Sequence, residues 1–484
     1  VDYRIQPGAR PEDIGKDEQP PDAYTFQLVQ DAKANDATVA LIRKYGLGKV
    51  LQDYSNLSYR NVTVLVPEER LPELAARPDV VSVQPWYVPE LNDERQGQIM
   101  RNYLTGNVPT GPGYLSWLLG LGFTQQQFTS SGFAVDVTDS GLDNATTSPN
   151  HFALYVEGVK PGTSRVSYNR TYGSAGSSGG KGCDGHGNLN AHIVAGYNTL
   201  TTTYHQDASG YHYGLGICPW VKVGSSVIFD PDYTYPNFAT LQSDAYASGA
   251  RISTNSWGAA VGGAYNSDSQ AYDTAVRDAQ SGTAGNQEMV ILFSAGNSGS
   301  SANTIGSPGT GKNVFTIGAA ENVHPFGAAD QCGYGDSAAN SANDVATYSS
   351  RGPCDDGRIK PDIQAPGTHV SGGVFPIASP PAQGQADACF DATGVCAGPG
   401  SSDFWPTTGQ WTTSSTGTSH STPGTAGASA LLRQWFLNHS KAAPSPAMNK
   451  AYLMNSTRYM NGAGANDNLY SNSQGMGEVD LTRA

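Results

Sequence analysis

The chain has 484 residues, enough for one large domain and a smaller one. Its formal charge of -14, from 28 basic and 42 acidic residues, argues against nucleic acid or an anionic membrane as the main partner. Charged residues make up 14% of the chain and glycine reaches 58 residues, which is more typical of compact, loop-rich secreted proteins than of helical cytosolic ones. No run of about 18 apolar residues predicts a membrane-spanning helix.

The six cysteines form an even set without the Cys-x-x-Cys spacing of a zinc site, so disulfides are favoured over metal ligation. Six cysteines allow fifteen pairings, and sequence does not choose among them. Proximity along the chain suggests Cys389 with Cys396, Cys332 with Cys354 and, by what remains, Cys183 with Cys218. We expect an oxidising, extracytoplasmic compartment. Since the chain begins without an apolar signal region, we expect any secretion signal to have been removed.

The first 100 residues carry 27 charged residues, a density that drops sharply afterwards and marks a domain boundary. An acidic, proline-rich lead occupies residues 1–21. The region 22–90 is predicted to be a small α+β open-sheet domain, and by itself it could be a binding module. Its periodicity predicts strands at 23–29, 59–66 and 80–88, a weak strand at 50–54, and helices at 37–45 and 68–77.

Residues 91–112 are polar and without a clear period, so we predict a connecting segment. From residue 113 onward, strand and helix patterns alternate. This alternation predicts one α/β domain over 113–484, a mostly parallel sheet with helices on both faces. Its predicted strands are 133–138, 221–229, 251–255, 289–293 and 314–317, its helices 237–248, 268–281 and 424–436, and a stapled surface loop covers 379–411.

A carboxylate ends the first of these strands. Asp139 follows the β-prone run 133–138 and precedes Ser140 and Gly141. Open α/β sheets place their chemistry at the carboxyl ends of parallel strands, so Asp139 is a candidate site residue. The alternative is an ordinary turn or capping role.

Two histidines lie in the stretch 182–198, GCDGHGNLNAHIVAGYN. His186 occupies a glycine-rich entry, where a base can face a cleft. His192 lies within an apolar run, which is typical of a core histidine. We therefore predict His186 as the candidate general base.

An asparagine follows the strand predicted at 289–293, in the run SAGNSG. Because glycines flank it, Asn297 can direct its amide N–H groups into a cleft without steric hindrance. A turn-forming Asn-Ser-Gly is the alternative. The next run, GSPGTGKN at 306–313, nearly fits a phosphate-binding loop. However, Asn313 replaces the hydroxyl that would hold magnesium and a strand follows where that motif needs a helix, so nucleotide binding is excluded.

Ser419 lies where a run of small and hydroxylated residues meets a predicted helix. Pro423, four residues later, is tolerated in the first turn of a helix. A hydroxyl at a buried helix N-terminus lies among unpaired N–H groups that would stabilise an oxyanion, so Ser419 is a candidate nucleophile. Simple capping of the helix is the alternative.

These motifs together resemble those of the subtilisin-like serine proteases. The matches are Gly-Thr-Ser-x-x-x-Pro at Ser419, Val-x-Val-Thr-Asp-Ser-Gly-Leu-Asp at Asp139 and Ala-Gly-Asn at Asn297. The family's His-Gly-Thr-His-Val-Ala-Gly matches in two pieces, with residues 189–191 inserted. Because three residues rotate a helix by roughly 300°, His186 and His192 cannot both keep the family's placement. His420 stands where the family usually has Met.

The resemblance implies a secreted serine endopeptidase with Asp139, His186 and Ser419 as the catalytic triad and Asn297 in the oxyanion hole. It also implies that 22–90 is an inhibitory prodomain, that 91–112 contains the maturation cut, and that the chain is a zymogen or autoinhibited form. Protein or peptide substrates are the expected partners, and a monomer is expected. No cofactor is expected to be required, and structural calcium is a family-level expectation without identified ligands.

The resemblance further implies two substrate-binding segments, which would pair with an extended peptide, and an open primary specificity pocket. Gly306 leaves that pocket room for a large apolar or aromatic side chain before the scissile bond. The implied substrate-binding residues are Ser256, Trp257, Gly258, Ser294, Ala295, Gly296 and Gly306.

Three alternatives remain open. An acid-acting relative with a Ser-Glu-Asp set shares the nucleophile motif but gives no reason for His186. A catalytically impaired fold could act as a binding or inhibitor module, and the residues inserted after His186 favour it. The same triad could instead transfer the acyl group to an amine, as a peptide ligase does.

Overall fold

The computed structural model describes residues 4–5, 23–56, 59–86, 95–174, 176–327, 329–396, 398, 402–465 and 468–484. Contacts between residues divide the chain into two compact units, Val1–Glu90 and Leu91–Ala484. Within the described ranges, no helix is both long and apolar enough to cross a membrane.

In the described part of the first unit, four antiparallel strands form a sheet of order β2-β3-β1-β4. Its elements are β1 (Ala23–Val29), α1 (Ala32–Tyr45), β2 (Gln52–Asn56), β3 (Tyr59–Val64), a 3-10 helix at Glu68–Arg70, α2 (Leu71–Ala75) and β4 (Val80–Trp86). Phe26 and Leu28, two residues apart on β1, share one core with Val39 and Ile42 of α1. The predicted order of strands and helices is confirmed, including the weak second strand.

The second unit opens with α3 (Arg95–Met100), β5 (Leu104–Thr105), β6 (Val108–Pro109), α4 (Tyr114–Gly120) and α5 (Gln125–Ser131). The irregular connection predicted at 91–112 is wrong for the described residues 95–112, which contain α3, β5 and β6. Gln96 and Gln98 of α3 are buried. Gln96 Nε2 donates to two backbone oxygens, those of Pro366 (2.9 Å) and His420 (3.2 Å). Polar side chains that satisfy buried carbonyl groups leave no apolar periodicity for a sequence to show.

Among the described residues, seven parallel strands form the central sheet, in the order β13-β12-β11-β10-β7-β9-β8. The strands are β7 (Ala134–Asp139), β8 (Val166–Thr171), β9 (Lys222–Val227), β10 (Ala250–Asn255), β11 (Val290–Ser294), β12 (Phe315–Ala320) and β13 (Ile363–Pro366). The predicted parallel sheet is confirmed, including the strand after 306–313 that excluded a nucleotide-binding loop.

Helices cover both faces of this sheet, as predicted. They are α6 (His186–Ala195), α7 (Phe238–Ala247), α8 (Ser267–Arg277), α9 (Thr418–Asn438) and α10 (Pro446–Ser456), with 3-10 helices at Phe152–Leu154, Val156–Gly158 and Asp336–Ala338. On β11, Leu292 joins the core that contains residues of α6 and α9, whereas Phe293 joins the core that contains residues of α7 and α8. Since neighbouring strand residues point to opposite faces, the two helix pairs lie on opposite sides of the sheet.

A two-stranded antiparallel ribbon, β14 (Val370–Gly373) and β15 (Thr412–Ser415), leads into α9. A long loop joins the two strands and includes the segment predicted at 379–411. The ribbon therefore connects this loop to the helix that carries Ser419.

Candidate active site

Asp139 and His186 meet at the carboxyl end of the sheet. Asp139 is the last residue of β7 and His186 the first residue of α6. The histidine Nδ1–H donates to Asp139 Oδ1 at 2.7 Å, and the Ser140 N–H donates to the same oxygen at 2.8 Å. The imidazole is therefore fixed in orientation by a buried carboxylate.

Asp139 and His186 each favour the charged form of the other. Burial opposes protonation of the His186 ring, but the charge of Asp139, the hydrogen bond to it and the charge of Asp184 outweigh burial and raise the pKa of His186 to about 9. Burial likewise opposes ionisation of Asp139. The charge and hydrogen bond of His186, with N–H donors from Asn190 and Ser140, nevertheless hold the pKa of Asp139 below its ordinary value.

His192 lies elsewhere. Helix α6 runs without interruption from His186 to Ala195, so six residues separate the rings and direct them to different faces. The His192 Nδ1–H donates to Asn188 O at 2.8 Å, and its ring meets that of His151 edge-on at 4.4 Å. The three additional residues of the motif are thus part of a regular helix, and His192 lies in the core.

The His192 ring belongs to a cluster of buried histidines near Trp411. The Trp411 ring contacts those of His151 and His205, and His151 in turn contacts His192. Burial lowers the pKa of His192 and of His205 to about 4. At such positions the unfolded chain, with an ordinary histidine pKa near 6.5, binds protons that the folded chain does not bind. Each ring therefore reduces the free energy of unfolding as the pH falls below about 6.5.

We expect His205→Phe to become more stable relative to wild type as the pH is lowered. Between pH 7 and pH 5 the difference should move in favour of the variant by about 2 kcal/mol, because the variant has lost one titrating ring. Buried carboxyls that titrate in the opposite sense, such as Glu321, cancel in this difference. Urea unfolding at both pH values measures it. His439→Gln, at an exposed histidine, is the control, and equal differences at the two pH values would contradict the expectation.

Ser419 is the second residue of α9 and is half-buried. Its Oγ–H donates to Ser256 O at 3.1 Å, while Ser256 Oγ–H donates to Ser419 O at 2.6 Å. The ring of the next residue, His420, lies 5.5 Å from the His186 ring, centroid to centroid. The structure therefore brings the Ser419 segment beside the Asp139–His186 pair, although within the described residues no hydrogen bond joins Ser419 to His186.

The sequence placed Pro423 in the first turn of the helix. In the structure it is the sixth residue of α9 and lies beyond the first turn. Proline has no N–H group for the carbonyl four residues earlier, which here is that of Ser419. The Ser256 hydroxyl supplies the missing donor. The helix can therefore start before the proline. Ser256, in the first predicted substrate segment, is hydrogen-bonded to the backbone of Ser419.

Asn297 is anchored to the start of α9. Its Oδ1 accepts the Thr418 N–H at 2.9 Å and the Thr418 hydroxyl at 2.8 Å. The residue is exposed, and a Cβ added at Gly417 would lie 3.3 Å from Asn297 Nδ2. Since the oxygen is occupied by Thr418, the amide N–H groups of Asn297 are left for a ligand beside Ser419.

The predicted substrate segments follow neighbouring strands. Ser256 to Gly258 come directly after β10, and Ala259 pairs antiparallel with Ser307 through N–H···O bonds of 2.8 and 2.9 Å. The Gly306 N–H donates to Ala295 O at 2.9 Å, so the second substrate segment, 294–296, lies next to Gly306. The Trp257 ring is half-buried and packs on Phe293 at 5.2 Å, edge-on. Trp257 thus has the contacts of a core residue at the edge of this region.

The suggested cysteine pairing is wrong. The structure pairs Cys183 with Cys389 and Cys332 with Cys396, and leaves Cys218 and Cys354 as buried thiols. The 379–411 loop is therefore attached to two distant segments rather than stapled to itself. Sequence proximity misled because this loop folds back on the entry to α6, where the Gly394 N–H donates to Asp184 O at 2.9 Å.

Among the residues that the structure describes, no three His, Cys, Asp or Glu side chains are arranged to hold a metal ion. Calcium therefore stays an expectation without ligands.

A parallel sheet with an aspartate at a strand end, and with a histidine and a serine at the starts of two helices, defines a subtilisin-like domain. The sequence matches the model of the subtilase family over residues 130–477. The chain therefore belongs to the subtilase family, a family of serine peptidases.

Among curated proteins, it is 38% identical over 82 residues to serine protease AprX of Bacillus subtilis, covering 17% of this chain and 16% of AprX. It is 39% identical over 87 residues to pyrolysin of Pyrococcus furiosus, covering 16% of this chain and 6% of pyrolysin. A longer match, at 24% over 308 residues, covers 48% of this chain and 16% of the serine protease/ABC transporter B family protein tagD of Dictyostelium discoideum. In each match the chain covers at most 16% of the relative's own length.

Solved structures with a similar fold include fervidolysin from Fervidobacterium pennivorans, with a TM-score of 0.43 and 21% identity over 97% of this chain and 61% of that one. Sphericase has a TM-score of 0.43 and 19% identity over 72% of this chain and 91% of its own.

Proposed function

We propose that this chain is a secreted serine endopeptidase that hydrolyses peptide bonds through Asp139, His186 and Ser419. The observation that carries the proposal is the 2.7 Å hydrogen bond between His186 Nδ1 and Asp139 Oδ1, with the Ser419 segment beside it. A fluorophosphonate reacts with an activated serine, so mapping the labelled peptide after the chain has been cut within residues 87–94 tests the assignment. Labelling of another residue, or of none, would overturn it.

In the proposed reaction, the Ser419 hydroxyl turns from Ser256 O to His186 Nε2 and loses its proton to that nitrogen as Oγ attacks the peptide carbonyl. Asp139 holds the Nδ1–H tautomer and stabilises the imidazolium. Asn297 Nδ2 and the Ser419 N–H bind the oxyanion. The tetrahedral intermediate then expels the amine, which takes the proton from His186, and water hydrolyses the acyl-enzyme by the same steps.

We further propose that the substrate backbone lies as an added strand between the 256–258 and 294–296 segments. The glycine at 306 favours a large apolar or aromatic side chain before the scissile bond. A Cβ at Gly306 would come within 3.1 Å of Ala259 O, so a larger residue at 306 would press on the first segment. Secretion is supported by the two disulfides among the described residues.

The rate is expected to rise with pH. A general base must be neutral, and the pKa of His186 is raised to about 9, so the active form gains population only as the pH climbs above neutrality. We expect the acid limb of kcat/KM to have an apparent pKa above the ordinary histidine value of about 6.5. A pH profile with a small peptide ester measures it. A rate that is highest in acid would favour the Ser-Glu-Asp alternative and contradict this triad.

We also propose that the small domain of 22–90 inhibits the second unit and that the maturation cut lies before Arg95. Helix α3 is buried in the second unit, and Gln96 binds the backbone of His420. A chain that began at residue 113 would lose this helix. We therefore propose that the maturation cut lies at the beginning of the predicted interval 91–112.

Cutting the chain within residues 87–94 is expected to increase its activity on a large protein substrate, because cutting frees the inhibitory domain to dissociate. A recognition site for a specific protease, introduced there, allows the same preparation to be assayed before and after the cut. The unmodified chain treated with that protease is the control. Equal activity before and after cutting would refute autoinhibition.

The impaired-fold alternative is supported by one observation, the hydrogen bond that Ser419 Oγ makes to Ser256 O rather than to His186. The fluorophosphonate test separates it from a working triad. Product analysis with an added amine nucleophile separates hydrolysis from peptide ligation, since a ligase joins the added amine to the acyl group and hydrolysis releases the free acid.

A further inference from the structure

The side chain of Asn190 joins Asp139 to His420, the neighbour of the proposed nucleophile. Its Nδ2 lies 3.0 Å from Asp139 Oδ2, and its Oδ1 lies 2.9 Å from His420 Nδ1. Both Asn190 and His420 are buried. A buried amide with a partner at each end is held in place by both.

The chemistry of the partners fixes how the amide is oriented. An ionised carboxylate only accepts hydrogen bonds, so the Asn190 NH₂ group must face Asp139. Asn190 Oδ1 then accepts, and His420 must donate from Nδ1. Burial, together with the charge of His186, holds the pKa of His420 well below its ordinary range, so the His420 ring is neutral with its proton on Nδ1.

Asn190 lies one turn after His186 on α6, so both side chains are on the same face of the helix. Their donor nitrogens lie 3.3 Å apart and point to the two different oxygens of one carboxylate. The Asp139 carboxylate thus has a side-chain donor on each oxygen. It cannot rotate without breaking one of these bonds.

We propose that Asn190 is a positioning residue that holds the Asp139 carboxylate in the plane required by His186, and that His420 fixes the orientation of Asn190. The inference rests on the proposed peptidase function. Two positions where the chain departs from the family pattern, the residues inserted after His186 and the histidine in place of methionine, thereby act as one pair. The proton of His420 stays on Nδ1 throughout, and Asn190 exchanges none.

Asn190→Val removes the bond to Asp139. We expect kcat to fall by about ten- to a hundredfold, because the His186–Asp139 pair loses its fixed geometry. The negative charge that Asn190 had partly neutralised returns to Asp139 and favours the protonated form of His186. The acid limb of kcat/KM should therefore move to higher pH. Both quantities are measured with a small peptide ester on the chain cut within residues 87–94, per site titrated with fluorophosphonate.

Two further variants separate positioning from packing. His420→Met breaks only the outer bond of Asn190 and should leave the acid limb where it is in wild type, with a smaller loss of kcat. In Asn190→Val the buried His420 N–H loses its acceptor, and the double variant N190V/H420M removes that ring, so it recovers the part of the stability that the unpaired ring costs. If Asn190 positions Asp139, the double variant keeps the low kcat and the shifted limb.

Recovery of wild-type kcat and of the wild-type limb in the double variant would overturn the inference, as would an acid limb that is unmoved or moves to lower pH in Asn190→Val. A shift in His420→Met as large as that in Asn190→Val would assign the effect to His420 instead. Wild-type labelling is measured first, on the chain cut within residues 87–94. An unlabelled wild type contradicts the proposed function, whereas a labelled wild type with unshifted variants contradicts this inference alone.

Discussion

Replacement of Ser419 by alanine is expected to abolish fluorophosphonate labelling and to lower kcat by about 10⁶-fold, the loss typical of a triad nucleophile. The physical reason is that the proposed reaction takes its nucleophile from the Ser419 hydroxyl, on the segment next to an imidazole that a buried carboxylate orients. Ser256, whose hydroxyl is also close, donates its proton to the Ser419 carbonyl and is not oriented towards His186. Active-site titration followed by steady-state kinetics measures the effect.

Ser421→Ala is a matched control for this variant. Ser421 lies on the same helix, is buried, and donates its hydroxyl proton to the Thr418 carbonyl at 2.9 Å. We expect its loss to leave labelling and kcat close to wild type. If Ser419→Ala retained labelling, or if Ser421→Ala lost it, the nucleophile would have to be reassigned.

Asn297→Asp should lower kcat by about a hundredfold or more with little change in KM. The aspartate keeps the oxygen that accepts both donors of Thr418, but it loses the N–H groups that would bind the oxyanion. Because the oxyanion exists only along the reaction path, the loss should fall on kcat rather than on binding. Comparison of kcat and KM with one peptide substrate measures it.

Ser298→Ala, at the exposed neighbouring residue, should behave like wild type and serves as the control for the Asn297 variant. An Asn297→Asp enzyme with unchanged kcat would show that the oxyanion is bound elsewhere. A raised KM at constant kcat would instead place Asn297 in ground-state binding.

Much of the fold was predictable because it depends on short-range patterns. The β-prone run that ends at Asp139 predicts a buried strand. The small residues after Ser419 favour a close-packed helix. The strands and helices of the small domain were predicted from the same kind of pattern, including the weak strand, which the structure has at Gln52–Asn56. Helix α3 was missed because it buries the polar side chains of Gln96 and Gln98, which carry no apolar period, and Gln96 binds two backbone carbonyls.

By itself, the sequence determined which residue types stand at strand ends and helix starts, since local backbone chemistry places an aspartate, an asparagine and a serine there. The tertiary structure alone decided that Cys183 meets Cys389 and that Asn190 meets His420, and it places His186, the base predicted from the sequence, on Asp139. Periodicity acts within a few residues of an element. These contacts join segments as much as 230 residues apart, so they are set by how the sheet, its helices and the long loop pack together.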